Sequence, residues 1–65
     1  MDREGIAKRL IELRGARTRS DVAKAIGIST SALAMYETGS RIPRDEIKVK
    51  LAHYYKTTVA QIFFN

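Results

Sequence analysis

Thr30, Ser31, Ala34, Met35 and Thr38 have types and a spacing that suit one kind of chemistry. At 100° per residue these five fall together on one face of a helix. Ala32, Leu33 and Tyr36 fall on the other side. The first face is small, largely polar and uncharged, whereas a solvated helix face normally carries Lys and Glu. Such a face can approach an anionic, polar surface without bulk or repulsion. The hydroxyls of Thr30 and Ser31 can hydrogen-bond base edges or phosphates, and Ala34 and Met35 suit thymine methyl groups. A helix of about eight residues is roughly 12 Å long, and the major groove of DNA is about 12 Å wide.

Cations and hydroxyls flank this stretch. Thr18 and Arg19 open the preceding helix, where backbone N–H groups and the positive dipole end attract phosphate. Ser40, Arg41 and Arg44 follow the reading stretch. Arg41 is placed to reach a phosphate on the far wall of the groove. Ser29, the N-cap of the reading helix, completes the candidate DNA-contacting set. No pair of carboxylates, no nucleophile with a base and no glycine-rich phosphate loop is present, so an enzyme has no support. His53 reads as a surface imidazole among polar neighbours.

These residues need a scaffold, and the chain spells one out. Ile6, Leu10 and Leu13 recur at helical spacing between Asp2 and about Arg14, and Gly15 ends that helix. Lys8, Arg9 and Arg14 leave its apolar stripe. Thr18 and Asp21 form a T-x-x-D cap for a second helix, Arg19 to Ile26, which stops at Gly27. Ala23 is small enough for a close helix crossing, and Gly27 tolerates the positive φ of the turn. Leu33 turns back onto the second helix. The third helix runs from Thr30 to about Thr38, with Gly39 just past its end. Pro43 fits the first position of a fourth helix running to about Tyr55. Ile47, Leu51, Tyr54 and Tyr55 mark its buried face, and Lys48 and Lys50 point away. Thr58 and Gln61 cap a short last helix carrying Val59, Ile62 and Phe63. The expected fold is all-α: five short helices in one bundle with a central helix-turn-helix, residues 1–65 forming a single domain.

Composition narrows the function further. A chain of 65 residues buries only about 60% of its unfolded surface, so it is near the lower limit for folding alone. It has no Cys and one His, which removes disulfides and the usual zinc sites; no metal and no cofactor are expected. Twelve Lys and Arg against seven Asp and Glu leave a net charge of +5. That charge fits an anionic partner and equally fits simple solubility. No apolar run spans a membrane and no signal-peptide pattern opens the chain, so a cytoplasmic protein is expected.

The stretches DVAKAIGISTSALAMYETGSRIP and KLAHYYKTTVAQIF make the chain resemble the phage-repressor-like helix-turn-helix family, the Cro/C1 or XRE type. Phage repressors are also the standard examples of this motif. The resemblance covers Ile6 to Phe64 and includes the Tyr36-Glu37-Thr38-Gly39 ending of the third helix. It implies a five-helix, lambda-repressor-like domain that binds operator DNA as a homodimer and regulates transcription, most simply as a repressor. By position it implies phosphate contacts at Thr18 and Arg19, and base reading by Thr30, Ser31 and Met35. It implies a backbone-gripping loop at Ser40 and Arg41. Glu37 resembles the family's structural acid, with Arg14 as its ion-pair partner. A carboxylate facing phosphates would repel them, so Glu37 belongs to the scaffold.

Two features depart from the family pattern. The link Gly15-Ala16-Arg17 is one residue short, and Arg17 stands where leucine is common, adding a positive charge near the phosphate clamp. The reading positions also lack Gln, Asn or Arg, so thymine-methyl contacts and DNA shape should matter more than bidentate hydrogen bonds.

A domain this small covers part of an operator, which is why pairing is expected. Phe64 falls off the last apolar stripe and, with one of the two tyrosines at Tyr54 and Tyr55, is the candidate dimer interface; Tyr54 is the one assigned. A protein antagonist or RNA polymerase is a further candidate partner. Two other functions fit the same residues. One is a DNA-binding antitoxin or phage-switch component, which gene neighbourhood would distinguish. The other is a small helical protein-interaction module without DNA binding, which predicts salt-insensitive partner binding and no duplex affinity.

Overall fold

Asp2, Thr18, Ser29 and Thr58 each stand where a helix begins. In each case a side-chain oxygen accepts the backbone N–H three residues on, at 3.0 to 3.1 Å. These caps satisfy donors that a helix start would otherwise leave unpaired. The computed structural model describes residues 2–64. Among them lie α1 (Arg3–Arg14), α2 (Arg19–Ile26), α3 (Thr30–Glu37), α4 (Asp45–Tyr54) and α5 (Val59–Phe63), with no strand.

The core is one cluster fed by every helix. Ile6 and Leu10 come from α1, Val22, Ala23 and Ile26 from α2, and Leu33 and Tyr36 from α3. Ile47, Leu51 and Ala52 come from α4 and Ile62 and Phe63 from α5, with Tyr55 joining at the α4 end. Leu13, Ile28, Ala32 and Val59 pack around its edge. Helices α1 and α2 pack on α3, and α4 joins α2 to α5. The α3 helix is thus gripped from one side and left open on the other. Among the described residues no helix is long and apolar enough to cross a membrane.

The turn between α2 and α3 uses Gly27 as expected. Its φ is 78°, and Ile28 N–H closes the end of α2 by donating to Ala23 O at 3.0 Å. Ala23 and Leu33 are both fully buried at the crossing.

Three expectations need correction. Pro43 does not start α4. Arg44 is the N-cap, without a side-chain cap bond, and buried Pro43 precedes it. Proline still suits this place, since its fixed φ directs the chain into the helix. Lys48 does not point away: it is 7% exposed. Its stem packs inward while its ammonium lies 5.6 Å from the Phe63 ring centre, 5.3 Å from that of Phe64 and 3.6 Å from Asp45 Oδ1. A long amphipathic side chain can cover apolar surface and keep its charged head partnered. Of the Thr58–Gln61 box only half forms. Gln61 Oε1 accepts the Thr57 hydroxyl at 2.5 Å instead of reaching back to the cap.

Candidate nucleic-acid interface

The site is built on the open face of α3. Leu33, Tyr36 and Glu37 are its buried residues. Thr30 and Ser31 are exposed, and Ala34 and Met35 are half-buried at the edge of the open face. The polar contacts that hold α3 in place come from its ends: Ser29 caps the start, and Thr38 and Ser40 bond at the finish. The hydroxyls of Thr30 and Ser31 stay available for a ligand.

Met35 joins α3 to the loop beyond it through its carbonyl. Met35 O accepts Ser40 N–H at 3.0 Å, Arg41 N–H at 3.3 Å and the Thr38 hydroxyl at 3.2 Å. Gly39, at φ 78°, makes that reversal sterically cheap. Ser40 Oγ lies 3.0 Å from Thr38 Oγ1, which braces the same turn. The loop bearing Ser40 and Arg41 is therefore fastened to the last turn of α3. Arg41 and Arg44 are both exposed.

At the other flank Thr18 uses one lone pair to cap α2, accepting Asp21 N–H at 3.0 Å. Its hydroxyl proton remains free to donate to an anion. Ser29 is in the same position, with its oxygen accepting Ala32 N–H. Arg19, the first residue of α2, donates its Nε to Glu37 Oε1 at 2.7 Å. Its side chain is still 38% exposed, so the ion pair leaves part of it open to solvent.

Glu37 is 2% exposed, and its carboxylate is shared. Arg14 Nε reaches Oε2 at 2.9 Å, as the Arg14–Glu37 pairing requires. The second partner, Arg19, was not foreseen. One buried acid thus ties the end of α1 and the start of α2 to the end of α3. Charge-assisted hydrogen bonds of this kind are strong and geometrically specific.

Arg17 is exposed and directly precedes Thr18 and Arg19 in the chain. Its guanidinium lies over the rings of Tyr54 and Tyr55, at 5.5 and 5.7 Å, and donates to Leu13 O at 3.1 Å. The aromatic pair at the end of α4 supplies the neighbour that a leucine would have had. Arg9 was also missed: its Nε donates to Ile62 O at 2.6 Å and fastens α1 to α5. The only sign of Arg17's role in the sequence was its departure from the leucine pattern.

The two tyrosines divide as expected, with Tyr55 buried and Tyr54 half-buried. Tyr54 packs edge-on to Tyr55, ring centres 5.2 Å apart, and beneath Arg17. Phe64 is 65% exposed and lies over the Lys48 ammonium. The candidate dimer residues Tyr54 and Phe64 thus have different neighbours.

The resulting surface combines a small, uncharged helix face with cations and free hydroxyls at both ends. The family model described as Helix-turn-helix matches residues 8–62 of the chain. No curated protein and no solved structure matches it.

Proposed function

We infer the function from the premise that this chain belongs to the phage-repressor-like (Cro/C1, XRE-type) helix-turn-helix family, and is accordingly a DNA-binding regulator with an all-α, lambda-repressor-like fold. We propose that it binds a specific operator as a homodimer and represses transcription from the cytoplasm. The α3 helix enters the major groove. Thr30, Ser31, Ala34 and Met35 read the base edges. Thr18, Arg19, Ser29, Ser40, Arg41 and Arg44 hold the backbone. The paired domains occupy half-sites about 34–36 Å apart. The bound dimer blocks polymerase, and a protein antagonist or the polymerase itself is the further partner.

The observation that carries this reading is the bond from Met35 O to the N–H groups of Ser40 and Arg41. It gives the base-reading helix and the phosphate-gripping loop one fixed relationship, as docking into a groove of constant width requires. The exposed apolar ring of Phe64 supports pairing through the α5 end.

The test is a selection of bound fragments from the source organism's DNA at near-physiological salt. The expected result is a palindrome with half-sites one helical turn apart. Binding without enrichment, lost as salt rises, would reduce the interaction to non-specific phosphate attraction and overturn the reading.

A further inference from the structure

An open trough of about 550 Å³ runs between the C-terminal end of α2 and the outer face of α4. Lys24 and Ala25 form one wall, and Val49, Lys50, His53 and Tyr54 form the other. None of these residues belongs to the DNA-contacting set. Val49, at the centre of α4, is 58% exposed and offers its apolar side chain to the trough. Among the described residues no carboxylate lines the trough; Glu46, one turn earlier on α4, lies outside its lining.

We propose that this trough is the docking site for an acidic, amphipathic protein segment, a helix whose apolar face covers Val49 and whose carboxylates meet Lys24 and Lys50. The argument is one of chemical complementarity. The floor is apolar and the walls carry two lysines, so the occupant must bring an apolar anchor and negative charge together. A nucleic-acid backbone brings the charge without the anchor. A second copy of the chain, meeting the first trough to trough across a two-fold axis, would gather four lysines and no lining carboxylate into one interface. Laying an amphipathic helix into a groove is a recurring mode of peptide recognition. Opposite charge at the rim adds specificity and rate. The proposal gives a place to the protein partner suggested above, and it does not depend on operator binding.

The probe is a synthetic amphipathic helix with leucines on one face and Asp and Glu on the rest. Its control has the same sequence with amides replacing the acids. Each is titrated into the full chain while the backbone amides are followed by NMR. The expected result is saturable shifts at Ala25, Val49 and His53 with the acidic peptide. Affinity should fall about tenfold in Lys24→Gln/Lys50→Gln and again in Val49→Ser, both surface changes that leave the fold intact. Duplex affinity should stay within about twofold in Val49→Ser, which removes no charge. Equal binding of the amide control, or shifts centred on Thr30 and Arg41, would overturn the proposal. So would trough shifts produced by duplex DNA, or by raising the concentration of the chain alone. A failure here leaves the fragment selection untouched, so the two readings fall separately.

Discussion

Arg19 and Glu37 close a ring: the Nε of the first residue of α2 meets the carboxylate of the last residue of α3 at 2.7 Å. With Arg14 Nε donating to both oxygens, at 3.1 and 2.9 Å, the acid is fully enclosed. Removing its charge should therefore be costly. Breaking a buried pair typically costs about 3–5 kcal/mol. Glu37→Gln should lie at the low end, about 3 kcal/mol, because both arginines can turn toward water. Arg19→Ala should cost less, about 1 kcal/mol, since that side chain is already partly exposed. Urea unfolding midpoints measure both. Equal stability of Glu37→Gln and the parent would mean the clasp contributes nothing.

Gly27 and Gly39 share a φ of 78° but differ in surroundings. A β-carbon at Gly27 meets nothing within 4 Å, whereas at Gly39 it would sit 3.4 Å from Arg3 O. The left-handed conformation alone costs a non-glycine residue about 1–2 kcal/mol. Alanine should destabilise both sites by about the same amount, since 3.4 Å is an ordinary van der Waals contact. In a domain of this size each kcal/mol corresponds to roughly 4–8 °C in melting temperature. Either variant melting as high as the parent would contradict a left-handed conformation at that glycine.

The Tyr55 phenol is pushed up to about 12, chiefly by burial and then by the Glu37 carboxylate, with Arg14 and Arg17 pulling the other way. The unfolded chain releases this proton near the ordinary value of 10.0, and the folded chain holds it. Stability is thus fully present below pH 10 and drains away as pH rises through about 12. Absorbance titration should show a late phenol step that Tyr55→Phe abolishes, along with part of the alkaline loss of stability. Near neutral pH the same substitution should cost less than about 1 kcal/mol, because the buried hydroxyl finds no protein partner among the described residues. A titration in which every tyrosine ionises near 10 would refute this.

Arg41→Ala and Met35→Ala should fail in different ways. Losing a phosphate contact should weaken all duplexes alike and lower the salt slope by about one unit. Losing a base contact should change preference at one base pair, by about 1–3 kcal/mol at most. Competition binding on operator variants over a salt series separates them. Uniform weakening by Met35→Ala would displace it from the reading face.

Pairing through Phe64 predicts a concentration effect. Burying such a ring is worth about 1.5–3 kcal/mol. Phe64→Ser should then raise the concentration for half-dimerisation at least about tenfold. Sedimentation across protein concentrations reads this directly, and an unchanged profile would move the interface elsewhere.

What could be read from the residues alone was what is local. Thr18, Ser29 and Gly27 act on backbone groups within five residues, so their roles show in the sequence. The apolar stripes likewise reveal themselves by spacing. Lys48 defeats periodicity, which sorts residues by polarity and cannot see an ammonium seated against the rings of Phe63 and Phe64. Arg19's bond to Glu37 and Arg17's seat on the tyrosines join residues far apart in the chain. Each depends on how the helices cross. The trough at Val49 is invisible to periodicity for the same reason, since its two walls come from different helices.

The way α3 is fastened also bears on how the protein can change over generations. Its cap is Ser29, its anchors are Leu33, Tyr36 and Glu37, and the loop hangs from the Met35 carbonyl rather than the Met35 side chain. The exposed side chains of Thr30 and Ser31 are therefore nearly free of folding duties, with half-buried Met35 only partly so. Under the proposed function, a lineage can exchange them one at a time and reach a new operator while the scaffold keeps its stability, so recognition would evolve separately from folding.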